Sequence, residues 1–187
     1  VELNLQSYNI TGGGEITIGS ANGEMGNLTV TGSGDVNTTI DVFDGSLTLK
    51  AFGGTIGPVV IDTGSKVSSD ADTTGGIGTL KLNGGGATLC GGTIGKITAG
   101  GAVTAGNLLA QGYVFVDEDG NYVDNNASAN GLTNVTVTKP HVPDSEITAP
   151  TAITGLTYNG AKQKLVTAGS VDATYGTMVY RLGGTGE

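Results

Sequence analysis

The phrase Gly-Gly-Thr-Ile-Gly is written twice in this chain, at residues 53–57 and 91–95, 38 positions apart. A shortened copy, Gly75-Gly76-Ile77-Gly78, divides that interval nearly in half. Repetition at a near-constant spacing describes a chain that winds rather than one that packs around a single centre. Triplets of the form apolar, polar, apolar keep a similar beat: Ile16-Thr17-Ile18, Leu28-Thr29-Val30, Leu47-Thr48-Leu49 and Leu80-Lys81-Leu82. Successive side chains of a strand point to opposite faces. Each triplet therefore sends two aliphatics inward and one Thr or Lys outward. Leu28 lies 19 positions before Leu47, and Leu47 lies 20 before Val67.

A coil of roughly twenty residues, made of two or three short strands with glycine corners, is the unit of a β-solenoid. One such coil cannot bury its own inner face, so its neighbours must supply the core. Each buried Leu, Ile or Val then contributes about 1.5–3 kcal/mol. Glycine suits the corners because it adopts positive φ without steric cost. The spacing wanders between 17 and 21 positions, which predicts insertions in some coils. Composition agrees, with 35 glycines among 187 residues. Glycine costs roughly 1 kcal/mol per helical site relative to alanine, so helices are disfavoured. Apolar residues at 37% and charged residues at 13% set the chain apart from disordered sequences. A β-sandwich is the competing architecture.

After Gly106 the character changes. Tyr113-Val114-Phe115-Val116, then Asp117-Glu118-Asp119-Gly120, then Asn121-Tyr122-Val123-Asp124 predicts a β-hairpin over 113–124 with an Asp-Gly turn. Leu132, Val135 and Val137 predict a last strand. This region is expected to cap the solenoid, whose open strand edges would otherwise invite aggregation. The expected division is a β-helix with its cap over 1–138, a Pro-containing linker over 139–150 and a short β module over 151–187. In that module Leu156 opens one strand, Asn159-Gly160 makes a turn, a second strand runs to Val166, and 177–182 forms a third.

Two stretches resemble a known family. LLAQGYVFVDEDGNYVD, residues 108–124, resembles the hairpin closing β-helical regions in large surface proteins of gut-type Gram-positive bacteria. Residues 147–182 resemble the opening strands of the Ig-like repeats that follow such regions. The hallmarks are LTYNG at 156–160, Lys162-Gln163-Lys164-Leu165-Val166, Ala168-Gly169 and Gly176-Thr177-Met178-Val179-Tyr180. The resemblance implies an all-β fold: a right-handed parallel β-helix, a capping hairpin and a truncated Ig-like module. It also implies export to a bacterial cell surface and a role in adhesion or display.

Charge and rare residues narrow the chemistry. The formal charge is −9, from 17 acidic and 8 basic side chains, which repels phosphate backbones and argues against a nucleic-acid partner. No apolar run approaches the ~20 residues of a membrane-spanning helix. Cys90 is the only cysteine and His141 the only histidine. Any Ser-His-Asp or Cys-His relay would need His141, which sits between Pro140 and Pro143.

Four candidate sites follow. Asp62-Thr63-Gly64-Ser65 after two valines and an isoleucine resembles an aspartic-protease loop. That chemistry needs a second carboxylate sharing one proton, and this chain has no second Asp-Thr/Ser-Gly. The expected role of 59–65 is a strand ending in a polar turn. Asp117, Asp119, Asn121 and Asp124 place oxygens at alternate positions and could hold Ca²⁺, although the later bidentate Glu of an EF-hand is missing. Asp41 with Asp44, or Asp70 with Asp72, could pair as the carboxylates of a polysaccharide-cleaving β-helix. Tyr113 and Tyr122 are the aromatic faces on which a sugar could stack, or else a cross-strand packing pair. The expectation is a non-catalytic surface scaffold whose partners are a host glycan, a host protein surface or further copies of itself. The alternative is a polysaccharide-active or glycan-binding β-helix.

Overall fold

A computed structural model of the chain describes residues 1–100, 102–141, 147–171 and 178. It divides into two units, Val1–Lys139 and Pro140–Glu187. The first ten strands are β1 (Glu2–Asn4), β2 (Glu15–Ile18), β3 (Gly26–Gly32), β4 (Thr39–Val42), β5 (Gly45–Phe52), β6 (Thr55–Asp62), β7 (Lys66–Ser69), β8 (Gly76–Asn83), β9 (Gly86–Leu89) and β10 (Thr93–Ala99). Odd-numbered strands form one five-stranded parallel sheet, and even-numbered strands form the parallel part of a second, seven-stranded one. Consecutive strands thus alternate between sheets, and each coil gives one strand to each. This is a β-solenoid.

The interior is built as ladders. Ile16, Ile40, Val59, Leu80 and Ile97 occupy successive rungs of the even sheet. Leu28, Leu47, Val67 and Ala87 do the same in the odd sheet. Ile40, Leu47, Val59, Val67, Leu80 and Ile97 are fully buried, whereas Ile16 and Leu28 in the early coils are only partly so. Ile16 lies in β2, the edge strand of its sheet, whereas the strand of Leu28 is flanked by the short β1. Outside, side-chain hydrogen bonds tie like positions of adjacent coils: Ser46 to Asn27 across 19 positions, Thr48 with Ser68 across 20, and Asn83 to Asp62 across 21.

The glycine phrase is a coil corner. Ile56, Ile77 and Ile94 stack in register, so the three copies lie directly on one another. Within them Gly54 sits on Gly34, Gly75 on Gly54 and Gly92 on Gly75, backbone against backbone. The Gly76 N–H donates to the Gly54 carbonyl at 2.9 Å and the Thr93 N–H to the Gly75 carbonyl at 3.0 Å. A Cβ on Gly92 would lie 2.7 Å from the Gly75 carbonyl oxygen, and Gly92 also has φ +95°. Close approach is therefore the main demand at this corner, with left-handed backbone added at Gly92.

Past β10 the winding stops. A 3-10 turn (Ala105–Leu108) leads to Leu109, which bridges Leu89 in parallel and covers the last rung of the odd sheet. Strand β11 (Val114–Val116) and strand β12 (Thr133–Thr138) complete the even sheet. Strand β12 lies antiparallel on β10, and β11 lies antiparallel on β12. Phe115, Val135 and Val137 close the core. The turn expected at 117–120 is present, and Tyr122 bridges Val116. The main partner of β11, however, is β12 rather than 121–124. The open edge of β10 takes the strand that brings two inward valines, and β11 then adds to it.

In the second unit β13 (Ile147–Thr148) pairs antiparallel with β14 (Ser170–Val171), and Ala152 bridges Val166. The ladder thus joins the outer parts of the segment. The strands expected from Leu156 to the Asn-Gly turn and from there to Val166 are not strands, although Gly160 has the positive φ of a turn, +77°. Tyr158 is 91% exposed and Leu165 66% exposed, so among the described residues no core organises them. The third expected strand, 177–182, lies outside the described residues except for Met178, as do residues 142–146 of the linker.

Candidate functional site

A groove of about 490 Å³ opens beside the third copy of the glycine phrase. One wall is the corner Cys90-Gly91-Gly92-Thr93. A second is the same corner one coil earlier, at Ala71, Thr73 and Thr74. The third is the end of β12, from Thr136 to Lys139, together with Tyr113 just before β11. The docking of β12 makes the groove, with the Val137 N–H donating to the Gly92 carbonyl at 2.9 Å. Beneath it, buried Ser69 fixes the corner. Its hydroxyl donates to the Gly91 carbonyl at 2.7 Å and accepts from the Cys90 and Gly91 N–H groups at 3.2 and 3.3 Å. Thr73, also buried, is committed to Asp70 and the Leu49 carbonyl. The hydroxyls of Thr74, Thr93 and Thr136 make no hydrogen bond to the described residues. The Lys139 ammonium lies 5.5 Å from the centre of the Tyr113 ring. No carboxylate is among the described residues that line the groove.

Of the two candidate tyrosines, only Tyr113 lies here. Tyr122 is 38% exposed, opposite Val116, and does not line the groove. The Asp117 loop is closed on itself. The Asp117 carboxylate accepts the N–H groups of Asp119 and Asn121 at 3.0 and 2.8 Å and the Asn121 amide at 3.4 Å. Asp124 accepts the Asn126 N–H at 2.8 Å. These are turn-forming bonds of the Asx type. Among the described residues no three His, Cys, Asp or Glu side chains cluster so as to hold a metal ion.

The Asp62-Thr63-Gly64-Ser65 stretch is a corner between β6 and β7. The Ser65 N–H donates to the Asp62 carbonyl at 3.0 Å, and Gly64 has φ +86°. The Asp62 carboxylate accepts from Asn83 one coil on at 3.1 Å. Asp70 has a different structural task. Ala51 bulges from β5 with φ +45°, and its N–H donates to both Asp70 oxygens at 3.0 and 3.1 Å.

The two perturbed carboxyls titrate in opposite senses. Burial pushes Asp70 up, but hydrogen bonds from Ala51, Thr73 and Asp72 outweigh it and hold the carboxyl below its ordinary 3.8. Burial, then the Asp62 and Glu15 carboxylates, raise Asp41 above 3.8 against the pull of Lys81. One Asp41 oxygen is buried without a hydrogen bond among the described residues. A lowered folded pKa stabilises above the unfolded value, and that contribution is lost as pH falls through the folded one. A raised folded pKa stabilises below the unfolded value and loses its effect as pH rises through the folded one. Urea midpoints should therefore fall for Asp70→Asn and rise for Asp41→Asn at neutral pH. The Asp41 difference should shrink as pH falls through its raised pKa towards 3.8, and the Asp70 difference only below 3.8, through its lowered one.

The groove was only half visible in the sequence. Tyr113 stood out as an aromatic, but the corner residues it faces lie in coils some twenty positions apart, and β12 reaches them from farther still. The repeat of the glycine phrase was the one usable signal, since it puts Gly76 and Thr93 on adjacent rungs and so stacks the two corners. Comparison with family models, with curated proteins and with solved structures finds no match for this chain.

Proposed function

We propose that this chain is a non-catalytic segment of an exported bacterial surface protein, a stiff solenoid that displays binding surface away from the cell. The observation that carries this is the parallel pairing of both sheets from coil to coil, which resumes past the Ala51 bulge in β5 and is closed at one end by β12 and Leu109. Stacked coils coupled through shared aliphatic ladders resist bending and local opening, as a spacer must. Outward rows such as Thr29, Thr48, Ser68 and Thr88 keep the odd sheet polar and wettable. Its hydroxyls can contact a host surface without hydrophobic aggregation.

Two measurements test it. Antibody against residues 1–139 should label intact producing cells, and external protease should remove the signal. Labelling only after permeabilisation would refute surface display. The full chain, incubated with neutral and acidic polysaccharides, should release no new reducing ends and no unsaturated sugar. Product formation that tracks the purified protein would replace the scaffold with a glycan-active enzyme.

A further inference from the structure

We propose that the groove at the third glycine corner binds a uronate, the acidic sugar unit of a polysaccharide or glycoconjugate. Its volume of about 490 Å³ falls in the usual range for small-molecule sites. The Tyr113 ring offers a face for the C–H side of a pyranose. The free hydroxyls of Thr74, Thr93 and Thr136 can each donate and accept, which suits vicinal sugar hydroxyls. The Lys139 ammonium is the cation for the sugar carboxylate. It now rests on the Tyr113 ring, and its flexible stem lets it swing aside as a sugar takes the face. Among the described residues no carboxylate lines the groove, so in a chain of net charge −9 Lys139 meets an anion there without a lining acid beside it. An acidic peptide is disfavoured because β12 is already paired on both sides, by β10 and β11, and has no free edge to extend. The assignment is independent of whether the solenoid acts as a scaffold.

Cys90, the only cysteine, lines the groove and reports its occupancy. The full chain is treated with a neutral maleimide in the presence of trigalacturonate, of a neutral trisaccharide or of a Glu-rich peptide. Trigalacturonate should slow labelling several-fold, less so at high salt, while the other two should not. Lys139→Gln should abolish the protection, read within the variant as the ratio of its labelling rates with and without sugar. Tyr113→Leu, which keeps apolar bulk against the cap, should also abolish it. If Cys90 resists the reagent, trigalacturonate should still shift the Thr93 and Thr136 amide resonances. No protection and no shift with trigalacturonate would overturn the assignment, as would equal protection in Lys139→Gln or by the peptide. Such a failure would leave the cell-labelling result for the scaffold untouched.

Discussion

Gly75→Ala is expected to destabilise the solenoid by about 3 kcal/mol, the upper end of what overpacking costs. The added methyl would point at the backbone of the preceding coil, with Gly53 C and Gly54 N each at 2.8 Å. Neither atom belongs to a side chain that can rotate away. Relief would require the two coils to part, but Gly76 and Thr93 are hydrogen-bonded through this corner to the coil before each of them. Ile77 in the same turn packs between Ile56 and Ile94, so separation would also open the core. Against a typical domain stability of 5–15 kcal/mol, this is a large fraction. Gly86→Ala is the control. Gly86 lies in β9 with no heavy atom within 4 Å of the new Cβ and no positive φ. There the smaller entropy of the unfolded chain should leave stability unchanged or raise it by about 0.4–1 kcal/mol. Urea titrations with equal slopes read both differences. Equal midpoints for Gly75→Ala and Gly86→Ala would mean that the corner glycines serve only to turn the chain.

That contrast also marks where sequence was a sufficient guide. The apolar triplets carry their own period of two, so Leu47, Leu49, Leu80 and Leu82 could be assigned inward, and all four are buried. The repeated phrase announced a corner, but the letters do not separate glycine needed for close approach from glycine needed for positive φ. Three irregularities were hidden for physical reasons. Ser69 takes an inward rung between Leu49 and Leu89, allowed because its hydroxyl is saturated by the next corner. Ala51 is extruded from β5 in a conformation that an Asp70 carboxylate 19 positions later makes tenable. The first coil is longer than the rest, with Thr38 bonded to Gly14 across 24 positions and Ser33 to Gln6 across 27. Each depends on a partner a full winding away, which local pattern cannot register. Beyond Lys139 local pattern misled, because alternation around Tyr158 and Leu165 promised strands that have no facing layer among the described residues to bury them.

A cavity in the middle of the even-sheet ladder should cost about 2–5 kcal/mol, the range for Leu→Ala at fully buried sites. Leu80 is such a site, with Val59 on one side and Ile97 on the other. Close packing on both sides leaves the neighbouring rungs little freedom to collapse, because each is also held by its own backbone pairing. Ile16 occupies the same ladder at its open end and is only partly buried. Ile16→Ala should therefore cost about 1–2 kcal/mol, in proportion to the smaller area it hides. The gradient from Ile16 to Leu80 distinguishes a stacked solenoid from a domain with one central core. In the solenoid, the cost follows position along the winding and depends on whether a coil lies on each side. Urea midpoints for alanine variants at Ile16, Ile40 and Leu80 should fall in that order of severity, with the last two close together. A flat series would break the link between coil stacking and stability on which the proposed scaffold role depends.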